Sequence, residues 1–171
     1  QPLLLPPMLS GPGGQPLAEP LSPLIQRAAA TATLQGRPWR GPGALPAWRG
    51  DSGAVAEIIA NLLENAFRYS PQGEVVGLQA QETPGGPVLT VWDGGPPIEA
   101  AERESIFQRG VRGSRGLPLP GTGLGLALAG DLARALGGDL QLVIPPQAVD
   151  PELPASGNAF VLRLPALAAG E

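Results

Sequence analysis

The 171-residue sequence contains no cysteine, no histidine and no lysine, and its aromatic residues are three Trp, three Phe and one Tyr. Without cysteine, neither a disulfide framework nor a thiolate metal site can form, which is compatible with a reducing cytoplasm, the expected compartment. Without histidine, imidazole chemistry is excluded from anything the chain does alone. All 11 basic residues are arginines set against 15 acidic residues, for a formal net charge of −4. No Lys/Arg cluster offers a footprint for a phosphodiester backbone, so no nucleic-acid partner is expected. No apolar run approaches the roughly 20 residues that cross a bilayer. The apolar start, Pro2 to Pro7, is broken by proline and lacks the basic flank of a signal peptide. A chain beginning with Gln is expected to come from a longer protein, whose remainder could carry a membrane anchor.

What the sequence has in quantity is 25 Gly and 22 Pro, which cut it into short elements. Residues 1–20 lack helical or strand periodicity and read as a linker with little regular structure. Leu21, Leu24, Ile25, Ala28 and Ala32 predict a helix over 21–34, with Ser22 as N-cap, Pro23 in the first turn and Gly36 as its end. Residues 44–49 read as a short strand. Asp51 or Ser52 would cap a second helix that ends near Tyr69, before Ser70-Pro71. Strands are expected over 74–81 and 87–92 about a Thr83-Pro84-Gly85-Gly86 turn, then a helical turn over 99–107 and an aperiodic loop over 108–120. A third helix over 122–136, stopped by Gly137-Gly138, precedes strands over 139–144 and 159–164. This order predicts one domain over 21–166 with a short tail over 167–171. Its fold class is a two-layer α/β (α+β) sandwich: a mixed sheet of about five strands with three helices on one face.

The second helix carries the most informative stretch. At about 100° per residue, Asn61, Asn65, Arg68 and Tyr69 fall along one polar stripe, beside an apolar face of Val55, Ile58, Ile59, Leu62, Leu63 and Ala66. Two asparagine carbonyls one turn apart can reach one hard cation, and a guanidinium one turn on can reach a phosphate. Downstream, Val91-Trp92-Asp93-Gly94-Gly95-Pro96-Pro97-Ile98 runs from a buried strand into an acid and a tight turn. Ile106-Phe107 follows, then a loop containing Arg109, Arg112 and Arg115, and then Gly121-Thr122-Gly123-Leu124-Gly125-Leu126 opens an apolar helix. Glycines there let backbone approach an anion, and a helix N-terminus presents unpaired N–H groups to it.

In this order the segments resemble the catalytic, ATP-binding domain of sensor histidine kinases, in the superfamily that includes gyrase, the Hsp90 chaperones and the MutL repair proteins. The resemblance covers roughly residues 20 to 166 and implies a Bergerat-type fold with a mobile ATP lid at 109–120. It implies Asn65 as the Mg²⁺ ligand, with Asn61 at the rim, Arg68 and Tyr69 toward phosphates or ribose, and Asp93 and Gly95 at the adenine. It also implies a phosphate grip by Gly121, Thr122, Gly123, Leu124, Gly125 and Leu126, with Arg112 swinging toward the γ-phosphate. Phe107 is expected as a lid hinge, and the three tryptophans as core or rim residues. One departure is evident: the family pattern is Asp-x-Gly-x-Gly, and Pro97 stands at the second glycine, where it excludes a positive φ.

ATP-hydrolysing members of the superfamily place a Glu where this chain has Asn61; Glu64 points to the solvent side instead. The resemblance therefore implies phosphoryl transfer to a histidine on a separate dimerisation domain of the same protein, followed by a response regulator, with this fragment itself monomeric. Two other readings share the boxes: an anti-sigma-factor-type serine kinase, and a non-catalytic nucleotide-binding module favoured by Pro97 alone.

Overall fold

The computed structural model describes residues 15–107 and 125–166. Strand β1 (Gln15–Pro16) leads into helix α1 (Ala18–Gln35), so regular structure begins ahead of the expected start at Leu21. The reason is burial. Leu17 and Leu21 are fully buried and draw the first turn onto the core, although Leu17 at the N-cap makes no side-chain cap bond. Pro20 falls in the first turn, where its missing N–H would have no helical partner, whereas Pro23 sits inside the helix and removes one ladder bond. At the other end Gly36 takes φ 66°. The Gly36 N–H bonds to Thr33 O at 3.1 Å and the Arg37 N–H to Ala32 O at 3.0 Å, the paired closure of a Schellman motif.

Strand β2 (Trp39–Arg40) and strand β3 (Ala47–Trp48) follow, the latter pairing with β1. Helix α2 (Ser52–Tyr69) begins where the Asp51 carboxylate accepts the Ala54 N–H at 3.1 Å. Its buried face carries Val55, Ile58, Ile59, Leu62, Leu63 and Ala66, as the periodicity requires, together with Asn65. Strands β4 (Val76–Thr83) and β5 (Gly86–Asp93) form a hairpin whose ladder runs from Thr83 opposite Gly86 to Val76 opposite Asp93. A 3-10 turn at Ala100–Glu102, helix α3 (described as Gly125–Ala135) and strands β6 (Asp139–Val143) and β7 (Asn158–Arg163) complete the described chain. Gly137, φ 84°, closes α3 as expected.

The main sheet has the order β2-β4-β5-β7-β6. It is mixed because β2 runs parallel to β4 while every other pair is antiparallel. One face meets the helices: Ile58, Ile59 and Leu62 pack with Leu78, Leu89, Val91, Phe160 and Leu162 in the principal core. Each fully buried aliphatic there contributes roughly 1.5–3 kcal/mol. The opposite face is not bare. The segment 144–157 folds over it, bringing Leu153 against Trp92, Ala159 and Val161, and the Asp150 carboxylate accepts bonds from Gln79 (3.0 Å) and Gln81 (3.3 Å). Gly77 faces Trp92 across the β4–β5 ladder, where a Cβ would collide with the indole ring. The Arg40 guanidinium lies 5.3 Å from the centroid of that ring.

Candidate nucleotide site

The ends of α2 and β5, the turn after β5 and the start of β7 converge on a cavity of about 260 Å³. Asn65 and Tyr69 reach it from α2, Asp93 from β5, Asn158 and Phe160 from β7, and Leu126 from the N-terminal part of α3. Three of these polar groups are buried: Asn65 is 8% exposed, Asp93 6% and Asn158 6%. Asn65 is inward because it follows Leu62 by three residues and Ile58 by seven, on the helical face that meets the core.

Asp93 ends β5 with its carboxylate turned back on the chain. Its Oδ1 accepts the Gly95 N–H at 2.8 Å and, more weakly, the Asn158 Nδ2–H at 3.4 Å. Burial pushes the Asp93 carboxyl above the ordinary aspartate range; these two bonds and the charge of Arg37 oppose the rise, and Glu74 adds to it. The Asn158 amide also donates to Pro96 O at 2.9 Å and accepts the Ile98 N–H at 2.8 Å. It thus braces both sides of Pro97, the position where the chain departs from the expected glycine. Gly157, φ 135°, allows this approach, since a Cβ there would collide with the Asp93 carbonyl. Gly95 is buried, and a Cβ on it would stand 2.6 Å from Pro71 Cδ.

Arg68 is placed elsewhere. It lines a separate cleft of about 450 Å³ between α1 and α2, with Leu24, Arg27 and Phe67, and its guanidinium bonds to Glu64 Oε2 at 2.9 Å. Its partner lies one turn back, while Tyr69, only 40° from Asn65 on the helix, turns into the nucleotide cavity. Asn61 is half-buried and does not line the cavity. Gly125 opens the described part of α3. Arg112, Gly121, Thr122, Gly123 and Leu124, like the expected lid, lie outside the described residues. Phe107 packs edge-on against Phe160, with ring centroids 6.0 Å apart.

Residues 50–168 match the family of Histidine kinase-, DNA gyrase B-, and HSP90-like ATPases. The chain belongs to this ATPase family. Over 157 residues it is 39% identical to the sensor histidine kinase Hik2 of Thermosynechococcus vestitus, covering 89% of this chain and 39% of that protein. Over 117 residues it is 36% identical to the signal transduction histidine-protein kinase/phosphatase MprB of Mycobacterium sp. strain KMS, covering 68% and 22%. The chain therefore spans well under half the length of these relatives. Among solved structures, a mycobacterial sensor histidine kinase MprB aligns with a TM-score of 0.67 at 28% identity, covering 85% of this chain and 95% of that one. Full-length ShkA in complex with AMPPNP aligns with a TM-score of 0.66 at 26% identity, covering 90% and 31%.

Within the ATPase frame, the residue that sequence reasoning missed is Asn158. The strand was expected to start at Ala159 and the loop before it to end at Gly157, which left Asn158 without a place; β7 begins at Asn158 itself. No local signal marked it, because only the β5–β7 register sets the asparagine directly opposite Asp93. Among the described residues, the cavity lining includes Asp93, Glu99 and Glu102 and no arginine. An anionic ligand's charge has to be met there by a metal ion, the α3 N-terminus or a cation brought in from outside the lining.

Proposed function

We propose that this chain binds Mg-ATP and donates the γ-phosphoryl group to a histidine on a separate dimerisation/phosphoacceptor domain, as part of a sensor histidine kinase that passes the group to a response regulator. The observation that carries this reading is the meeting of buried Asn65 and buried Asp93 in one cavity of a family ATPase domain. Asp93 accepts the exocyclic amine of adenine; guanine, with a carbonyl there, would be repelled. Tyr69 lies along the ribose or phosphates. The Asn65 carboxamide is a buried, neutral, hard oxygen donor beside acidic side chains, which suits Mg²⁺ and its preference for oxygen ligands. Bound there, the ion would neutralise charge on the phosphate chain.

Arg68 is directed to the phosphates, where the ligand replaces its exposed pair with Glu64. Arg112, with Gly121, Thr122, Gly123, Leu124 and Gly125, closes the phosphate end. With Asn61 in place of a water-orienting Glu, transfer is favoured over hydrolysis. With no histidine in the chain, the acceptor is supplied by another domain.

The test is calorimetric titration with ATP and GTP, with and without Mg²⁺, followed by labelled-phosphate transfer to the parent protein's phosphoacceptor domain added in trans. Mg²⁺-dependent ATP binding that is lost in Asn65→Ala, followed by acid-labile labelling of the acceptor, is expected. No binding at millimolar ATP would sink the reading.

A further inference from the structure

Arg37 is 7% exposed, and among the described residues its guanidinium meets no carboxylate within ion-pair distance. A buried charge costs several kcal/mol, and an apolar residue in its place would often stabilise the fold more. Packing alone does not account for an arginine here. Its bonds all run to the end of α2: Nη1 donates to Ser70 Oγ at 2.6 Å and Nη2 to Ser70 O at 3.4 Å. The guanidinium also lies 5.6 Å from the Phe67 ring centroid. Nε has no partner, so the fork is directed at Ser70 rather than shared around the core. The location favours a cation, since the carbonyl end of a helix carries negative partial charge.

Both ends of this connection are anchored. The Arg37 backbone is held by the Schellman closure of α1. Ser70 Oγ in turn donates to Ala66 O at 2.5 Å. Ser70 and Pro71 line the nucleotide cavity. Pro71 sits so close to Gly95 that a methyl would not fit between them, and the Gly95 N–H bonds to the Asp93 carboxylate. A continuous set of contacts therefore runs from Arg37 through Ser70, Pro71 and Gly95 to the group proposed to read adenine.

We infer that Arg37 is a positioning residue of the nucleotide site, its guanidinium holding the Ser70-Pro71 wall against the Asp93–Gly95 turn. The inference rests on the nucleotide-binding reading for its functional consequence and on the geometry alone for the linkage. Lysine, a point charge without the planar fork, cannot serve both Ser70 oxygens in the same way. Losing a group that orients the residues around a site weakens binding on the order of tenfold or more while leaving the contacting residues in place.

The experiment compares wild type, Arg37→Lys, Arg37→Met, Ser70→Ala and the Arg37→Met/Ser70→Ala double variant, each measured well below its own melting temperature. Two quantities are read: the Kd for Mg-ATP, and the amide-exchange rate of Gly95 without nucleotide, referenced to Val161 in the β7 ladder. The expected result is a Kd raised on the order of tenfold in both Arg37 variants, with the double variant no worse than Arg37→Met. Gly95 exchange should be accelerated in the Arg37 variants while Val161 is unchanged. Unaltered Gly95 exchange in folded Arg37→Met, or exchange raised equally at Val161, would overturn the linkage. Wild type that binds no Mg-ATP would instead remove the functional reading, and the exchange data would still decide whether Arg37 positions the turn.

Discussion

Asn158 stands directly opposite Asp93 in the β5–β7 ladder, and its one carboxamide touches the Asp93 carboxylate, the Pro96 carbonyl and the Ile98 N–H. A single side chain therefore spans the strand end and the turn that follows it. Asn158→Ala leaves the Ile98 donor and the Pro96 acceptor without their partner, a loss of about 1–3 kcal/mol. Chemical denaturation should show that loss, and calorimetry a Kd for Mg-ATP raised on the order of tenfold. Unchanged affinity would mean that the brace does not shape the pocket.

Asp93 gives a pH signature of definite sign. Its folded-state pKa is raised, chiefly by burial, so the folded state holds the proton more tightly than the unfolded chain. The stability from this group is complete below the ordinary aspartate pKa and is lost as pH rises through the elevated folded value. Asp93→Asn preserves an acceptor oxygen for Gly95 and removes the buried charge. It should melt higher than wild type at pH 7 and lose preference for ATP over GTP. Wild-type affinity for ATP should fall as pH drops through the same elevated pKa, since the protonated acid is a poorer acceptor.

Gly95→Ala places a methyl 2.6 Å from Pro71 Cδ, well inside contact distance. Overpacking of this kind costs about 1–3 kcal/mol. Because the wall that must yield borders the cavity, the change should reduce both melting temperature and Mg-ATP affinity. Gly77→Ala is the matching control. It collides with Trp92 on the far face of the sheet, so stability should fall with the Kd left alone.

The Glu64–Arg68 pair predicts an asymmetry. Both side chains are substantially exposed, at 51% and 38%, so removing Glu64 should cost the fold at most a few tenths of a kcal/mol. Glu64→Gln removes a charge that competes with phosphate for the Arg68 guanidinium and should tighten Mg-ATP binding by about twofold at low salt, an effect that fades as salt screens it. Arg68→Ala should weaken binding to ATP far more than to adenosine. Equal losses for the two ligands would place Arg68 away from the phosphates.

The sequence made α2 legible because three independent signals agreed: a capping Asp51, an apolar stripe and a Ser-Pro stop. The end of β5 at Asp93 was legible from a buried strand running into Gly-Gly, while the adenine role of Asp93 came from the resemblance alone. The pairing of Arg68 with Glu64 one turn back was not legible, because a helical projection gives direction to within a few tens of degrees and takes no account of a neighbouring side chain. The start of α1 was hidden because Ser22 and Pro23 read as an N-cap and a first-turn proline, whereas burial of Leu17 and Leu21 starts the helix at Ala18. The short parallel strand β2 had no local signal at all. Its pairing with β4 is a tertiary event between residues remote in sequence.

Strand β2 covers only the Val76 and Gly77 end of β4. From Leu78 to Thr83, among the described residues, no strand pairs with the outer side of β4, although its other side is satisfied by β5 throughout. A stretch of this length is a template onto which a second extended chain can dock. Charge on Glu82 is the nearest deterrent along it. Purified material should therefore be most prone to self-association at high protein concentration.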